Sequence, residues 1–195
     1  MPRPKSFDRD EVLEQAMNLF WDSGYGATSI QDLENHLSIN RVSLYREFGS
    51  KHDLFLAALD HYCDEVMSSG LELLTSSSDG LASIRRFFEM TLEALEEGNW
   101  RSCLMSNSAS ELARHDRDTA RRAEQNAARV DGAFLSALTR ARGLGELASD
   151  ADLPSLAQYL TTLQLGLGLM GKATADRTRL QNTADVVFRH LESLS

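Results

Sequence analysis

At 195 residues, of which 42% are hydrophobic, the chain is long enough to bury one large core or two smaller ones. A net charge of −9 argues against a generally basic nucleic-acid binder, and two cysteines are too few for a secreted disulfide-linked fold. No apolar run of signal-peptide or membrane-spanning length is present, so we expect a cytoplasmic protein with no membrane partner.

The spacing of apolar residues predicts an all-α fold. Only 3 prolines and 12 glycines interrupt the chain, and no stretch alternates apolar and polar residues as a strand would. Apolar residues instead recur at the spacing that places them on one face of a helix.

Capping residues mark three helices in the first 50 residues. Asp8 begins the first helix, and Thr28 begins the second, with Gln31 completing a capping box. Asn40 begins a third, short helix after a turn at residues 38–39. Two short helices separated by so few residues have the spacing of a helix-turn-helix.

The rest of the chain is expected to be a longer helical region. Apolar periodicity, with loops rich in Ser, Gly, Asp and Pro between the periodic segments, predicts six helices. These helices are expected over residues 51–75, 81–97, 103–113, 116–142, 154–172 and 177–194.

Three strings carry a resemblance to a known family. They are Arg-Pro-Lys-Ser-Phe-Asp near the N-terminus, Gly-Tyr-Gly-Ala-Thr-Ser-Ile-Gln-Asp-Leu at 24–33, and Ser-Leu-Tyr-Arg-Glu-Phe-Gly-Ser-Lys-His-Asp-Leu-Phe at 43–55. With them the chain resembles the TetR family of bacterial transcriptional regulators. Two residues depart from the family pattern, since Glu34 stands in place of a small alanine and Ser38 in place of the turn glycine.

The resemblance implies two domains and a function. Residues 1–50 would form a three-helix helix-turn-helix DNA-binding domain, and residues 51–195 a larger helical domain for effector binding and dimerisation. The implied function is that of a ligand-responsive repressor, which binds a palindromic double-stranded DNA operator as a homodimer and responds to an unknown small-molecule effector. The alternative is a helical ligand-binding or adaptor protein without DNA binding, which the acidic balance leaves open.

The resemblance also assigns DNA contacts. At this register the family touches DNA with residues that correspond here to Asn40, Arg41, Val42, Ser43 and Tyr45, with Arg46 beside them. Arg41 is the candidate for a bidentate guanine contact, and Tyr45 for a phosphate contact. Thr28 and Lys51 lie at helix N-termini, where backbone N–H groups favour a phosphate, and Arg3 and Lys5 are candidates for a minor-groove contact.

Two apolar helices at the C-terminus favour subunit pairing. With the same helices of a second copy they would form a four-helix bundle, as in the resembling family, although burial within one subunit is the alternative. The residues expected at this dimer interface are Leu163, Leu167, Met170, Val187 and Leu191. The glycines of the string Gly-Leu-Gly-Leu-Met-Gly at 166–171 match a dinucleotide fingerprint but follow a helical pattern, so we expect no cofactor.

Aromatic and sulfur-containing residues between 87 and 105 could line an effector cavity or belong to the core. The candidates are Phe87, Phe88, Trp100, Cys103 and Met105. Cys103 is expected at a helix N-terminus, which favours a reactive thiolate, although a buried cysteine that acts as a small hydrophobe is commoner.

No group of residues has the arrangement of a catalytic or metal site. His115, Asp116 and nearby serines lack the spacing of a hydrolase triad, and His61 and Cys63 fall on different helix faces. We therefore expect neither an enzyme nor a metalloprotein.

Overall fold

A computed structural model describes residues 7–194, which form α-helices without any strand in that range. The helices are α1 Arg9–Ser23, α2 Ile30–Leu37, α3 Arg41–Phe48, α4 Lys51–His61, α5 Ser68–Ser76, α6 Leu81–Glu97, α7 Leu104–Leu112, α8 Arg117–Gly143, α9 Leu153–Thr174 and α10 Arg177–Glu192. The predicted all-α fold is confirmed. None of the helices between residues 7 and 194 combines the length and the apolar content that crossing a bilayer requires.

The first three helices, which we call the head (residues 7–50), begin where capping side chains satisfy free backbone N–H groups. Asp8 Oδ1 accepts a hydrogen bond from the Asp10 amide at 2.9 Å, and Asn40 Oδ1 accepts one from the Ser43 amide at 2.9 Å. The head packs mainly through α1, which contacts α2 and α4. The residues after position 50 are called the body.

The start of α2 differs from the prediction by one residue. Thr28 is only 1% exposed, and its hydroxyl donates to the Gly24 carbonyl at 2.6 Å. Ser29 is the capping residue: its hydroxyl accepts from the Asp32 amide at 3.1 Å, and the Asp32 carboxylate accepts from the Ser29 amide at 2.8 Å. The predicted capping box of Thr28 with Gln31 is therefore wrong, because the neighbouring hydroxyl takes that role.

The helix expected over residues 51–75 is interrupted. Residues Tyr62–Val66 form a π-helical turn, in which the Met67 amide donates to the Tyr62 carbonyl at 3.2 Å, five residues back. Tyr62 is buried there, with its ring edge-on to Trp21 of α1 at 4.9 Å between centroids. π turns inside α-helices often occur at functional sites. The region around this turn, next to the head, is therefore a candidate functional site.

Two hydrophobic cores lie within the described residues. The first fills the head and α4 and also contains Cys103, Leu104 and Met105 from the start of α7. The second lies among α5, α6, α8, α9 and α10. The head therefore rests on the beginning of α7 as well as on α4.

The apolar residues of α9 and α10 divide between the second core and the surface. Leu167, Val187 and Leu191 are 1–3% exposed and pack in the second core of their own chain, and their contact with a second subunit stays a prediction. Leu163 and Met170 are only partly buried. The exposed apolar side chains on these helices are Tyr159, Leu169 and Val186. The spacing of apolar residues correctly predicted that α9 and α10 are amphipathic helices, but it did not predict which of their apolar residues face the core of the same chain.

Candidate nucleic-acid interface

Helix α3 exposes residues that are predicted to contact DNA. We call Arg41, Val42, Ser43, Tyr45 and Arg46 the reading residues. Leu44 is fully buried and Phe48 nearly so, and together they fix α3 against the first core. On the opposite side Val42 is 77% exposed, and Arg41 and Arg46 are exposed as well. An α-helix whose outer face carries Arg and a free apolar side chain has the shape and chemistry to enter a major groove.

The N-terminus of α3 is held by a residue of α2. Glu34 Oε1 accepts a hydrogen bond from the Arg41 amide at 2.5 Å. The Arg41 guanidinium lies 5.2 Å from the centre of the Tyr45 ring, a cation–π distance that orients the arginine along the helix. Glu34, where the resembling family has a small alanine, thus has a structural task, but it also puts a carboxylate beside the reading residues.

Ser38 adopts the backbone conformation that glycine would adopt without strain. Its φ is 53°, in the left-handed region, where it ends α2 and turns the chain toward α3. The helix-turn-helix geometry is therefore retained despite the missing glycine.

The second predicted phosphate contact lies at the start of α4. Lys51 Nζ sits 4.2 Å from the centre of the Tyr25 ring. Burial lowers the pKa of Lys51, while Glu111 and Asp32 act in the opposite direction. The ammonium therefore lies beside the loop between α1 and α2, which carries Tyr25. Thr28 has no exposed side chain with which to contact a phosphate, and Ser29 occupies the exposed position beside it.

The remaining predicted positions are Asn40, Ser43 and the N-terminal arm. The Asn40 side chain is engaged in capping α3 through the Ser43 amide, so both residues help to form the helix end that carries Arg41. Arg3 and Lys5 lie outside the described residues.

Several polar contacts that sequence reasoning missed join the head and α4 to the rest of the body. Glu111 of α7 accepts hydrogen bonds from the amides of Tyr25 and Gly26, at 3.1 and 2.6 Å, in the loop between α1 and α2. In addition, Asp60 pairs with Arg122 at 2.8 Å, and His52 pairs with Asp116 at 2.8 Å. Partners some 60–90 residues apart in the chain leave no local sequence signal.

Two neighbouring cavities lie beside the start of α7. The Trp21 cavity, of about 180 Å³, is lined by Trp21, Tyr62, Phe87 and Cys103 among others. The Thr161 cavity, of about 340 Å³, lies between α7, α8 and α9. Ser102, whose φ of 58° is left-handed, lines both of them, so the two cavities are neighbours.

The structure does not bring the five candidate effector-binding residues to one cavity. Phe87 and Cys103 line the Trp21 cavity, whereas Met105 lines the Thr161 cavity. Phe88 is fully buried among other phenylalanines and lines neither, and Trp100 packs against the second core. Within residues 7–194, no three His, Cys, Asp or Glu side chains are grouped so as to hold a metal ion.

The two cysteines differ in surroundings. Cys103 occupies the N-cap position of α7, at the helix N-terminus as predicted, but its side chain makes no capping hydrogen bond. Burial raises the pKa of Tyr62, and Cys103 adds to the rise. Burial raises the pKa of Cys63 to about 12. A sensing role for Cys103 stays a prediction.

Family models match both parts of the chain. The model described as bacterial regulatory proteins, tetR family, matches residues 12–58, and the tetracyclin repressor-like C-terminal domain matches residues 80–187. Among curated proteins, the uncharacterized HTH-type transcriptional regulator YezE of Bacillus subtilis is 39% identical over 98% of this chain and all of its own length. The HTH-type transcriptional repressor ComR of Escherichia coli is 28% identical over 96% of this chain and 90% of its own length.

Solved structures match the whole fold. A cysteine mutant of the TetR family transcriptional regulator CifR, complexed with 26-bp double-strand operator DNA, superposes with a TM-score of 0.87 at 27% identity, covering 96% of this chain and 98% of its own. Reduced NemR of E. coli shares the fold, with a TM-score of 0.80 at 22% identity, covering 96% of this chain and 97% of its own.

Proposed function

Since this chain belongs to the TetR family of bacterial transcriptional regulators, we propose that it is a homodimeric repressor that releases a palindromic operator when a small-molecule effector binds. It is a DNA-binding regulator with a helix-turn-helix head and a helical body. No catalytic role is proposed, and its target, chromosomal DNA, places it in the cytoplasm. Functionally we divide the chain into residues 1–50, which read DNA, and residues 51–195, which bind the effector and the second subunit.

The observation that carries the proposal is the solvent-facing side of α3. Arg41 is the only arginine at the helix start, where side chains reach deepest into a major groove, and we assign it to a guanine. The exposed Val42 offers an apolar contact to a thymine methyl group. Tyr45, Arg46 and Lys51 are assigned to phosphates on either side of the groove.

Operator binding by two single variants tests this assignment. Arg41→Ala should cost about 1–3 kcal/mol at one base pair of each half-site and relax the preference there. Lys51→Ala should weaken specific and random DNA alike and reduce the salt slope by about 1 per contact. Equal losses on specific and random DNA for Arg41→Ala would refute base reading. If the wild type forms no saturable, salt-sensitive complex with any fragment from its own genomic neighbourhood, the adaptor alternative is favoured.

We place the dimer interface on the exposed side of α9 and α10. Tyr159, Leu163 and Val186 line a groove between the two helices, and Tyr159 and Val186 are 42% and 55% exposed in the single chain. Apolar side chains left at the surface of two adjacent helices fit a four-helix bundle formed with a second copy. Such pairing would set the two heads at a fixed spacing on a two-fold symmetric operator.

A charge introduced into this groove tests the dimer. Val186→Glu should give a folded monomer, because the side chain makes little contact with its own chain. Leu144→Glu is the control, since Leu144 is 59% exposed at the end of α8 and does not line the groove. Sedimentation velocity reports the mass and circular dichroism the fold. A dimer that survives Val186→Glu unchanged would place the interface elsewhere.

A further inference from the structure

The loop between α1 and α2 is held by a carboxylate of the body. Glu111 of α7 accepts hydrogen bonds from two consecutive backbone amides, at 3.1 Å from Tyr25 and at 2.6 Å from Gly26. Each bond uses a different oxygen of the carboxylate, so the two bonds together fix both the position and the orientation of the loop. Hydrogen bonds to an ionised acceptor are also stronger than those between neutral groups.

Glycines on both sides of Tyr25 allow the carboxylate to approach the loop backbone. A Cβ atom at Gly24 would lie 2.9 Å from Oε2 of Glu111, and a Cβ atom at Gly26 would lie 3.0 Å from Oε1. Both distances are shorter than Cβ contacts usually are, so a larger residue at either position would displace the carboxylate. Gly24 also has a φ of 79°, in the left-handed region that favours glycine. The loop backbone is therefore fitted to this carboxylate.

The side chain between the two glycines supports a residue that is assigned to DNA. The Tyr25 ring packs against Phe55 of α4, at 4.8 Å between ring centroids. Lys51 Nζ lies 4.2 Å from the centre of the same ring, a cation–π distance. Burial lowers the pKa of Lys51 and the charge of Glu111 counteracts this, which places the two charges near each other. A displacement of the Tyr25 loop would therefore release the Lys51 ammonium from its support.

The charge of Glu111 and its position predict opposite effects on DNA binding. As a charge alone, Glu111 would repel phosphates and compete with them for Lys51, so its removal would strengthen binding. As the residue that holds the Tyr25 loop, it would favour binding. A long lysine side chain loses rotamer freedom when it contacts a phosphate, and a side chain that is already supported loses less.

From these observations we propose that Glu111 is a positioning residue for DNA binding: through the Tyr25 loop, it holds the Lys51 ammonium where that group contacts a backbone phosphate. This inference rests on the proposed function, in which Lys51 is assigned to a phosphate. The phosphate contact of the head thus depends on a residue of the body.

Two variants of Glu111 separate its charge from its position. Glu111→Gln removes the charge, and its amide nitrogen cannot accept from the second backbone N–H. Glu111→Asp keeps the charge, but its shorter side chain withdraws the carboxylate from the loop. Binding of the full-length protein to a labelled random-sequence DNA duplex is followed by fluorescence anisotropy over a range of salt concentrations. Both variants should bind about tenfold more weakly at low salt and reduce the salt slope by up to about 1 per head.

The opposite result has a clear signature. If only the charge of Glu111 mattered, Glu111→Asp would bind as the wild type does and Glu111→Gln would bind more tightly. Either finding would overturn the proposal.

A double-mutant cycle with Lys51 tests whether the effect passes through this residue. In a Lys51→Ala background, Glu111→Gln should not weaken binding further, because the contact that Glu111 positions is already absent. The losses of the two single variants should therefore not add. Additive losses would overturn the role of Glu111 in positioning Lys51.

Asp60→Asn is the matched control for a contact that serves the fold alone. Asp60 of α4 pairs with Arg122 of α8 at 2.8 Å, so this variant also neutralises a carboxylate that holds two helices together. It should leave the salt slope unchanged even if it lowers Tm. Circular dichroism checks that the variants fold, as expected for Glu111, because it is exposed and water can replace its carboxylate. An equal loss of salt slope in Asp60→Asn and Glu111→Gln would overturn the proposal.

The Lys51→Ala variant alone separates this inference from the proposed function. If Lys51→Ala reduces the salt slope and the Glu111 variants do not, only the inference is overturned. If Lys51→Ala leaves the salt slope unchanged, the assignment of Lys51 to a phosphate is refuted, and the inference with it. If the wild type forms no salt-sensitive complex with DNA, the proposed function itself is refuted, and this inference falls with it.

Discussion

Glu34 has two opposite effects, one on the stability of α3 and one on DNA binding, and a pair of variants can separate them. Its carboxylate caps α3 through the Arg41 amide at 2.5 Å, yet it places a negative charge next to the residues assigned to DNA. Glu34→Gln keeps an oxygen acceptor and removes the charge, whereas Glu34→Ala removes both. We expect Glu34→Gln to bind the operator more tightly than the wild type, and Glu34→Ala to do so at a cost in stability.

The size of each effect follows from simple estimates. A unit charge about 10 Å from a phosphate is repelled by about 0.4 kcal/mol in water, and by about 0.15 kcal/mol after screening over one Debye length at 0.1 M salt. About three such phosphates per head and two heads give about 1 kcal/mol, or about fivefold in operator affinity. Losing the cap should cost Glu34→Ala about 1 kcal/mol of stability, a decrease in Tm of about 2–4 °C.

Fluorescence anisotropy with labelled operator at several salt concentrations and thermal unfolding by circular dichroism measure both quantities. The gain in affinity of Glu34→Gln should shrink as salt is raised, because the repulsion is screened. The reasoning is refuted if Glu34→Gln binds no more tightly than the wild type at low salt, or if Glu34→Ala unfolds at the wild-type temperature.

Three further outcomes are expected. Ser38→Gly should raise Tm by about 2–4 °C with operator affinity unchanged, because it relieves a left-handed backbone at φ 53°, and a lower Tm would contradict this. In a Cys103→Ser background, Cys63 should resist iodoacetamide at mildly alkaline pH until the chain is unfolded, since burial raises its pKa to about 12; rapid native labelling would contradict the assignment. Burial raises the pKa of Asp116, but hydrogen bonds from His52 and Thr119 outweigh it and lower the value to about 2. Because this lies below the ordinary value of 3.8, the carboxylate stabilises the fold above that value and ceases to do so as pH falls toward 2. The urea midpoints of wild type and Asp116→Asn should therefore differ near neutral pH and converge near pH 2, and an equal difference at both would contradict the role.

The head was predictable because its signals are local. Capping residues, glycines and the spacing of apolar residues act within one or two turns, so the three helices were located from the sequence. The one boundary error concerns two adjacent hydroxyl residues, Thr28 and Ser29. Either side chain can cap a helix, and only the packing of α1 against α2 decides that Thr28 turns inward.

The body was predictable as helices but not as a packed arrangement. Apolar residues occur on more than one side of α9, so the periodicity could not tell that Leu167 packs inward while Leu169 is 62% exposed. The π turn at Tyr62–Val66 contains no glycine, proline or other helix-breaking residue, so the residue pattern did not predict it. The hydrogen bond between Glu111 and the α1–α2 loop joins residues that are far apart in the chain. The lack of a partner for the Thr161 hydroxyl among residues 7–194 likewise depends on how distant helices pack.

The sharing of a core between the head and the start of α7 bears on how such regulators can be recombined. A crossover at residue 50 would keep α3 and all its reading residues but would remove Cys103, Leu104 and Met105 from the hydrophobic core that they share with the head. A chimera that joins this head to the body of another regulator would therefore lose part of the hydrophobic core of the head, unless residues 101–112 were transferred with it. New operator preferences in this lineage should accordingly arise by substitution on α3, with each head inherited together with the effector site to which it is fitted.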